Sequence, residues 1–171
     1  MVSIGPNSQS YNFTHMFDIR DLRGCPKKVT GCPNSLFNII NTNPDFTKFR
    51  YLVKLAKLET VLDNSQADFT LFIPSDAEIK KLGDSIFLNM DIAVARHIVK
   101  SSMLDYKITS DLLEDSTASY FITKDPPNRL FITNISGNTY INTDINIIKK
   151  DILATNGIIH VIDKLIYPTI I

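Results

Sequence analysis

Apolar positions recur along this chain with two different periods, and the change of period divides it. Between 34 and 58 they fall at helical spacing. Leu36, Phe37, Ile39 and Ile40 predict a first short helix, with Asn34 or Ser35 placed to cap it. After Asn43-Pro44-Asp45, the residues Phe46, Phe49, Leu52, Val53, Ala56 and Leu58 line one stripe of a second helix. Phe69-Thr70-Leu71-Phe72-Ile73 reads as a compact strand that runs directly into Pro74-Ser75-Asp76-Ala77-Glu78. There Ser75 and Glu78 have the spacing of a capping box that opens another helix. Asp91 starts a further helix through Ala93, Val94, Ala95 and Ile98, which carries His97, and Ser110-Asp111 opens a short turn at Leu112-Leu113.

From Thr117 the period shortens to that of strands. Ser119-Tyr120-Phe121-Ile122-Thr123 and Arg129-Leu130-Phe131-Ile132-Thr133 are separated by Pro126-Pro127, and Gly137-Asn138 turns the chain into Thr139-Tyr140-Ile141-Asn142. The stretch 149–168 predicts a hairpin: Ile152 and Leu153 lead into Asn156-Gly157, a pair that tolerates positive φ at both turn positions, and Ile158 to Ile166 supply aliphatic bulk before Pro168. His160 alternates with Ile159 and Val161, which predicts an exposed sheet-face histidine. Helices crowd the first part and strands the last. This is α+β organisation, not the alternation of a parallel α/β sheet.

At 171 residues the chain fits one domain. The regular part occupies 34–168, residues 1–33 are an aperiodic Gly- and Pro-containing extension expected to wrap it, and 169–171 form a tail. Hydrophobic content of 44% with 21% charge is globular. Lys+Arg and Asp+Glu both count 18, without a basic run longer than two, so no electrostatic footprint points to nucleic acid or an anionic membrane. No stretch approaches the ~18 apolar residues of a membrane span. The opening MVSIGPNSQSYNF has neither the basic nor the apolar region of a secretory signal. The 24 Ile, 14 Asn and 13 Lys against 5 Arg follow AT-rich codons, as in a bacterial, protist or large viral genome. Cys25 and Cys32 are a disulfide candidate; reduced, they are simply two nearby thiols, and no further His or Cys completes a metal site. No cofactor is expected. Asn12-Phe13-Thr14 and Asn134-Ile135-Ser136 fit the N-glycosylation pattern.

Three blocks in order carry a resemblance. NSLFNIINTNPDFTKFRYLVKLAKLETVL with TLFIPSDAEIKKL, then HIVKSSMLDYKITSDLL, then INTDINIIKKDILATNGIIHVIDKLIYP together resemble the fasciclin-type adhesion domain over residues 34–168. The resemblance implies a wedge-shaped β-sandwich with several helices packed at one end. It also implies a non-enzymatic adhesion module whose partner is a protein or cell-surface receptor, at an extracellular or surface location. It makes Ser75, Asp76, His97, Asn156, Gly157, His160 and Asp163 structural signature positions, with His97 hydrogen-bonded to Asp76. It makes Asp151-Ile152 the adhesion candidate: a carboxylate can complete the coordination of a receptor-held divalent cation, and the neighbouring aliphatic adds apolar contact. The chain departs from the family's Tyr-His site, since Arg96 precedes His97.

Two other classes of function stand beside adhesion. One is an intracellular or particle-associated scaffold that kept the fold. The other is a small-ligand-binding protein or hydrolase with a pocket between helices and sandwich. A Ser75, Asp76 and His97 triad lacks a glycine-framed elbow, and Ser75 serves better as a helix cap.

Overall fold

The computed structural model describes residues 34–115 and 118–169. The expectations for the N-terminal extension, for Cys25 and Cys32 and for the Asn12 sequon therefore lie outside the described residues.

Helix α1 spans Leu36–Thr42 and is capped by Ser35, whose Oγ accepts from the Asn38 N–H at 3.0 Å. A 3₁₀ turn over Pro44–Phe46 leads into α2, Thr47–Leu55, which buries Phe49, Leu52 and Val53. The predicted stripe continued to Leu58. The helix instead stops where Lys57 takes φ +57°, a left-handed residue that turns the chain into α3, Glu59–Leu62. Then follow β1 (Phe69–Pro74), α4 (Asp76–Lys80) and α5 (Ile92–Ser101), the last capped by Asp91. The two-residue β2 (Met103–Leu104), absent from the sequence expectation, precedes α6 (Ser110–Asp115). The strand-rich part holds β3 (Ala118–Ile122), β4 (Arg129–Ile135), β5 (Asn138–Ile141), β6 (Ile145–Ala154) and β7 (Gly157–Ile162).

The seven strands lie in the order β2-β1-β7-β6-β5-β4-β3. All neighbours are antiparallel except β1 and β7, which run parallel from Phe69↔Gly157 to Pro74↔Ile162. Strand β6 joins the two halves of the sheet, pairing with β5 at its start and with β7 along its length, with register shifts on either side of Lys149. Each face of β1 serves a different core. Leu71 and Ile73 pack with Leu36, Phe49 and Ile98 under the helices. Phe72 points the other way, into a cluster with Leu104, Leu130, Ile132, Ile141 and Ile162 between the two halves of the sheet. The result is an α+β fold in which the sheet curls into a sandwich with helices against one face. Strands covered on both faces read as continuous apolar runs, which β1 and β7 do.

Three sequence expectations are corrected at this level. Ala154 pairs with Gly157, so the loop of the last hairpin is Thr155-Asn156, and neither residue has positive φ. Gly157 has φ +158°, which L side chains rarely adopt, and a Cβ there would also lie 2.2 Å from the Phe69 carbonyl oxygen and 2.8 Å from Leu36 Cδ1. His160 is fully buried, not exposed, with its ring stacked on Phe72 at 5.5 Å between centroids. A strand between two others, packed on both faces, has no solvent side for alternation to select. The preceding hairpin turns at Ser136-Gly137, both at positive φ, and Asn138 already belongs to β5.

Candidate functional site

The register shift between Lys149 and Ile152 leaves Asp151 outside the ladder at φ +58°, an uncommon conformation for a residue with a Cβ. The bulge turns its backbone inward and its exposed carboxylate toward α6. The Ser110 N–H donates to Oδ1 at 2.9 Å and the Ser110 hydroxyl donates to Oδ2, so Asp151 satisfies a first-turn donor of that helix. Partial burial pushes the Asp151 carboxyl up, but the two bonds from Ser110, with His160 and Lys150 nearby, hold it below the usual carboxylate value. Lys150 pairs with Glu114 of the same helix. Ile152 is half-buried against the core beneath the helices, and Leu153 is 57% exposed.

Beneath the bulge lies His160. Its Nδ1 accepts the Asp151 N–H at 3.3 Å, which leaves Nε2–H to donate to the Ile108 carbonyl at 2.8 Å. That pattern assigns the neutral Nε2–H tautomer. Burial lowers the imidazole's proton affinity and keeps it neutral, against the opposing pull of the Ile108 carbonyl and Asp151.

His97 does not meet Asp76. Its Nδ1 lies 2.9 Å from both carboxylate oxygens of Asp125, which also accepts from Ser101 Oγ at 3.2 Å and Asn128 Nδ2 at 3.0 Å. Asp76 instead accepts the Thr47 N–H at 3.1 Å and the Lys48 N–H at 2.8 Å, with the Thr47 hydroxyl as a third donor. It anchors the start of α2 from outside. Ser75 occupies the N-cap position of α4 with no side-chain cap bond, and Glu78 pairs with Lys81 at 2.8 Å, so the capping box is not formed. Ser75, Asp76 and His97 thus do not converge as a triad. Sequence reasoning missed Asp125; in Lys124-Asp125-Pro126-Pro127 it has the look of an ordinary turn carboxylate.

Asn156 is the buried hub of the fold. Its Oδ1 accepts the Leu36 N–H at 2.8 Å, and its Nδ2 donates to the carbonyls of Leu62 and Asn64, each at 2.9 Å. Asp163 ties the end of β7 to the start of β6 through the Asn146 N–H and Nδ2, both at 2.9 Å. The amide of the second sequon residue, Asn134, donates to the carbonyls of Leu113 and Glu114. An open cleft of about 310 Å³, lined by Thr47, Lys48, Tyr51, Asp84 and Phe87, lies on α2 and the 3₁₀ turn Asp84–Phe87, away from the sandwich. Lys48, 2.7 Å from Asp84, holds that carboxyl below its usual value. Among the described residues no group of His, Cys, Asp and Glu is placed to hold a metal ion.

The sequence profile of the fasciclin domain matches residues 44–168, most of the chain. The chain belongs to the fasciclin family. Transforming growth factor-beta-induced protein ig-h3 of Oryctolagus cuniculus is 31% identical over 155 residues, covering 83% of this chain and 20% of the relative. Periostin of Homo sapiens is 23% identical over 138 residues, covering 78% and 16%. The chain therefore spans about a fifth or less of these relatives' length. The solved fasciclin-domain pair of the insect cell adhesion molecule fasciclin I superposes with a TM-score of 0.60 at 25% identity, covering 82% of this chain and 52% of the pair. Within this fasciclin domain, Asp76, Asn156, His160 and Asp163 each join separate elements, while the Asp151 carboxylate is exposed and held by α6. No helix among the described residues is long and apolar enough to cross a membrane.

Proposed function

We propose that this fasciclin domain is a non-enzymatic binding module that attaches to a protein or cell-surface partner through the Asp151-Ile152 region. The observation that carries this reading is the seat of Asp151. Its carboxylate is exposed on a bulge and fixed in direction by Ser110. Each oxygen accepts one bond from Ser110 and keeps a lone pair for a cation held by the partner. Leu153, exposed two residues on, adds apolar surface. Kinship with a cell adhesion molecule supports the class of function.

The test is attachment of the purified chain to cell surfaces with and without EDTA, beside Asp151→Asn. Asparagine tolerates the left-handed backbone and can still accept the Ser110 N–H, but it lacks the charge that a divalent cation requires. Cation-dependent attachment lost in this variant supports the assignment. Attachment that survives both EDTA and Asp151→Asn moves the contact elsewhere. Absence of attachment to any surface returns Asp151 to a purely architectural role and favours a scaffold that kept the fold.

A further inference from the structure

The sheet ends in β3, and among the described residues no strand covers its outer side. Edge strands are commonly blunted by charge, proline or a bulge. Strand β3 reads Ala-Ser-Tyr-Phe-Ile and pairs with β4 without a register shift, so it has none of these. Its outward backbone groups can be assigned. The Thr123 N–H donates to the Asn128 carbonyl at 3.2 Å, so Thr123 and Asn128 form a hydrogen-bonded pair. Alternation then makes Phe121–Leu130 and Ser119–Ile132 hydrogen-bonded pairs as well. Phe131, opposite Tyr120, agrees: its carbonyl accepts from Asn142 at 2.7 Å, on the side away from β3. The N–H and C=O of Ala118, Tyr120 and Ile122 therefore point away from β4. The same three side chains share one face, where Tyr120 is 64% and Ile122 62% exposed. The Tyr120 ring lies 4.7 Å from that of Phe131 and 5.1 Å below the Arg129 guanidinium.

We propose that β3 pairs antiparallel with β3 of a second copy of this chain, about a two-fold axis through Tyr120. The strand is complementary to itself in this register. Outward donors and acceptors fall at the same three positions in both copies, so each meets a counterpart. Ala118, the small side chain, faces the β-branched Ile122 of the other copy, and two Tyr120 rings meet at the axis and extend the row begun by Phe131. Charge agrees with the antiparallel sense. Asp115 is exposed just before the strand and Arg129 is exposed opposite its far end, so the acidic end of one copy lies toward the basic end of the other. An unrelated extended peptide matches the backbone but neither the size pairing nor the charge. The β3 edge lies three strands from β6, so the pairing adds no strand beside the β6 bulge.

The experiment is sedimentation equilibrium of the full chain over a concentration series, with two variants. A five-residue edge buries less than the roughly 1,200–2,000 Å² of standard stable interfaces, so a reversible, weak monomer–dimer equilibrium is expected. Tyr120→Lys sets two ammonium groups against each other at the axis and abolishes the dimer, with the circular dichroism of the folded chain retained. Tyr120→Cys, oxidised mildly, cross-links to its own copy, because paired Cα atoms about 5.5 Å apart lie within disulfide reach. Mass spectrometry maps the bond to the peptide containing position 120. Ile122→Cys, far from its equivalent in this register, does not cross-link to itself. A monomer at every concentration overturns the proposal, as does a dimer that survives Tyr120→Lys. So does equal cross-linking of the two cysteine variants.

Discussion

Asp151 donates its backbone N–H to Nδ1 of His160 at 3.3 Å, so the seat of an exposed carboxylate is set by a buried imidazole. The other ring nitrogen holds the Ile108 carbonyl, and two residues later Ser110 returns to the Asp151 carboxylate. This closed circuit clamps the β6 bulge, β7 and the segment entering α6 to one another. Neither residue's role is separable from the other's.

The circuit makes stability depend on pH. Burial lowers the affinity of His160 for a proton, so the unfolded chain takes up the proton first as pH falls. The native state then binds fewer protons than the unfolded state, and stability falls with pH below the ordinary histidine value of about 6.5. Stability from this group is fully present above that value and is lost toward the lower folded one. The expected outcome is a melting temperature that declines between about pH 7 and 5. In His160→Gln the starting temperature is lower and that decline is shallower. An equally steep decline in the variant removes His160 from the account.

Asp151 carries a second, more acidic transition. Its folded carboxyl is held low, so its contribution persists above the ordinary value of 3.8 and is lost as pH falls below it. At neutral pH, Asp151→Ala loses both bonds from Ser110 and forces a residue with Cβ and no polar group into positive φ. Because the site is exposed, the expected cost is modest, about 1–2 kcal/mol by urea unfolding. Asp151→Asn should cost less than half of that. Equal stability of the two variants contradicts the clamp.

The local elements were legible because their signals are local. Ser35 and Asp91 cap the helices they precede, and the apolar run at 69–73 is a strand. The hidden features depend on contacts across long stretches of chain. His160 was misplaced because period-two alternation assigns sides without saying which are covered, and its cover comes from the parallel pairing of β1 with β7. Asn156 and Gly157 were read through turn chemistry. One is a buried hub to α1 and α3, and the other is small because the Phe69 backbone passes against it. The bulge that exposes Asp151 has no signature in Lys149-Lys150-Asp151-Ile152; it follows from fitting a ten-residue β6 against two partners.

Double-mutant cycles distinguish the two carboxylates that compete for His97. Asp125 contacts it and Asp76 does not. His97→Ala with Asp76→Ala should be additive within about 0.5 kcal/mol, since the two share no partner. His97→Ala with Asp125→Ala should show a coupling of roughly 0.5–3 kcal/mol, the range for residues in one hydrogen-bond network. Coupling to Asp76 and none to Asp125 reverses the assignment.

Two glycines contrast backbone freedom alone with backbone freedom joined to steric need. At Gly137 the φ of +85° favours glycine, but a Cβ there meets nothing within 4 Å. Gly137→Ala should cost about 1 kcal/mol, a purely conformational penalty. At Gly157 the φ of +158° also disfavours a side chain, and in addition its Cβ would press on the backbone oxygen of Phe69, which cannot move without breaking the parallel pairing of β1 with β7. Gly157→Ala should therefore cost more, at or above the roughly 1–3 kcal/mol of overpacked cores, and further enlargement to Val should prevent folding. Amide exchange adds a spatial readout. In Gly157→Ala, protection should fall first along β1 and at Leu36, whose N–H is held by neighbouring Asn156. If Gly157→Ala is no more destabilising than Gly137→Ala, the close approach of β7 to Phe69 is wrong. The packing of α1 over that corner would then be wrong with it.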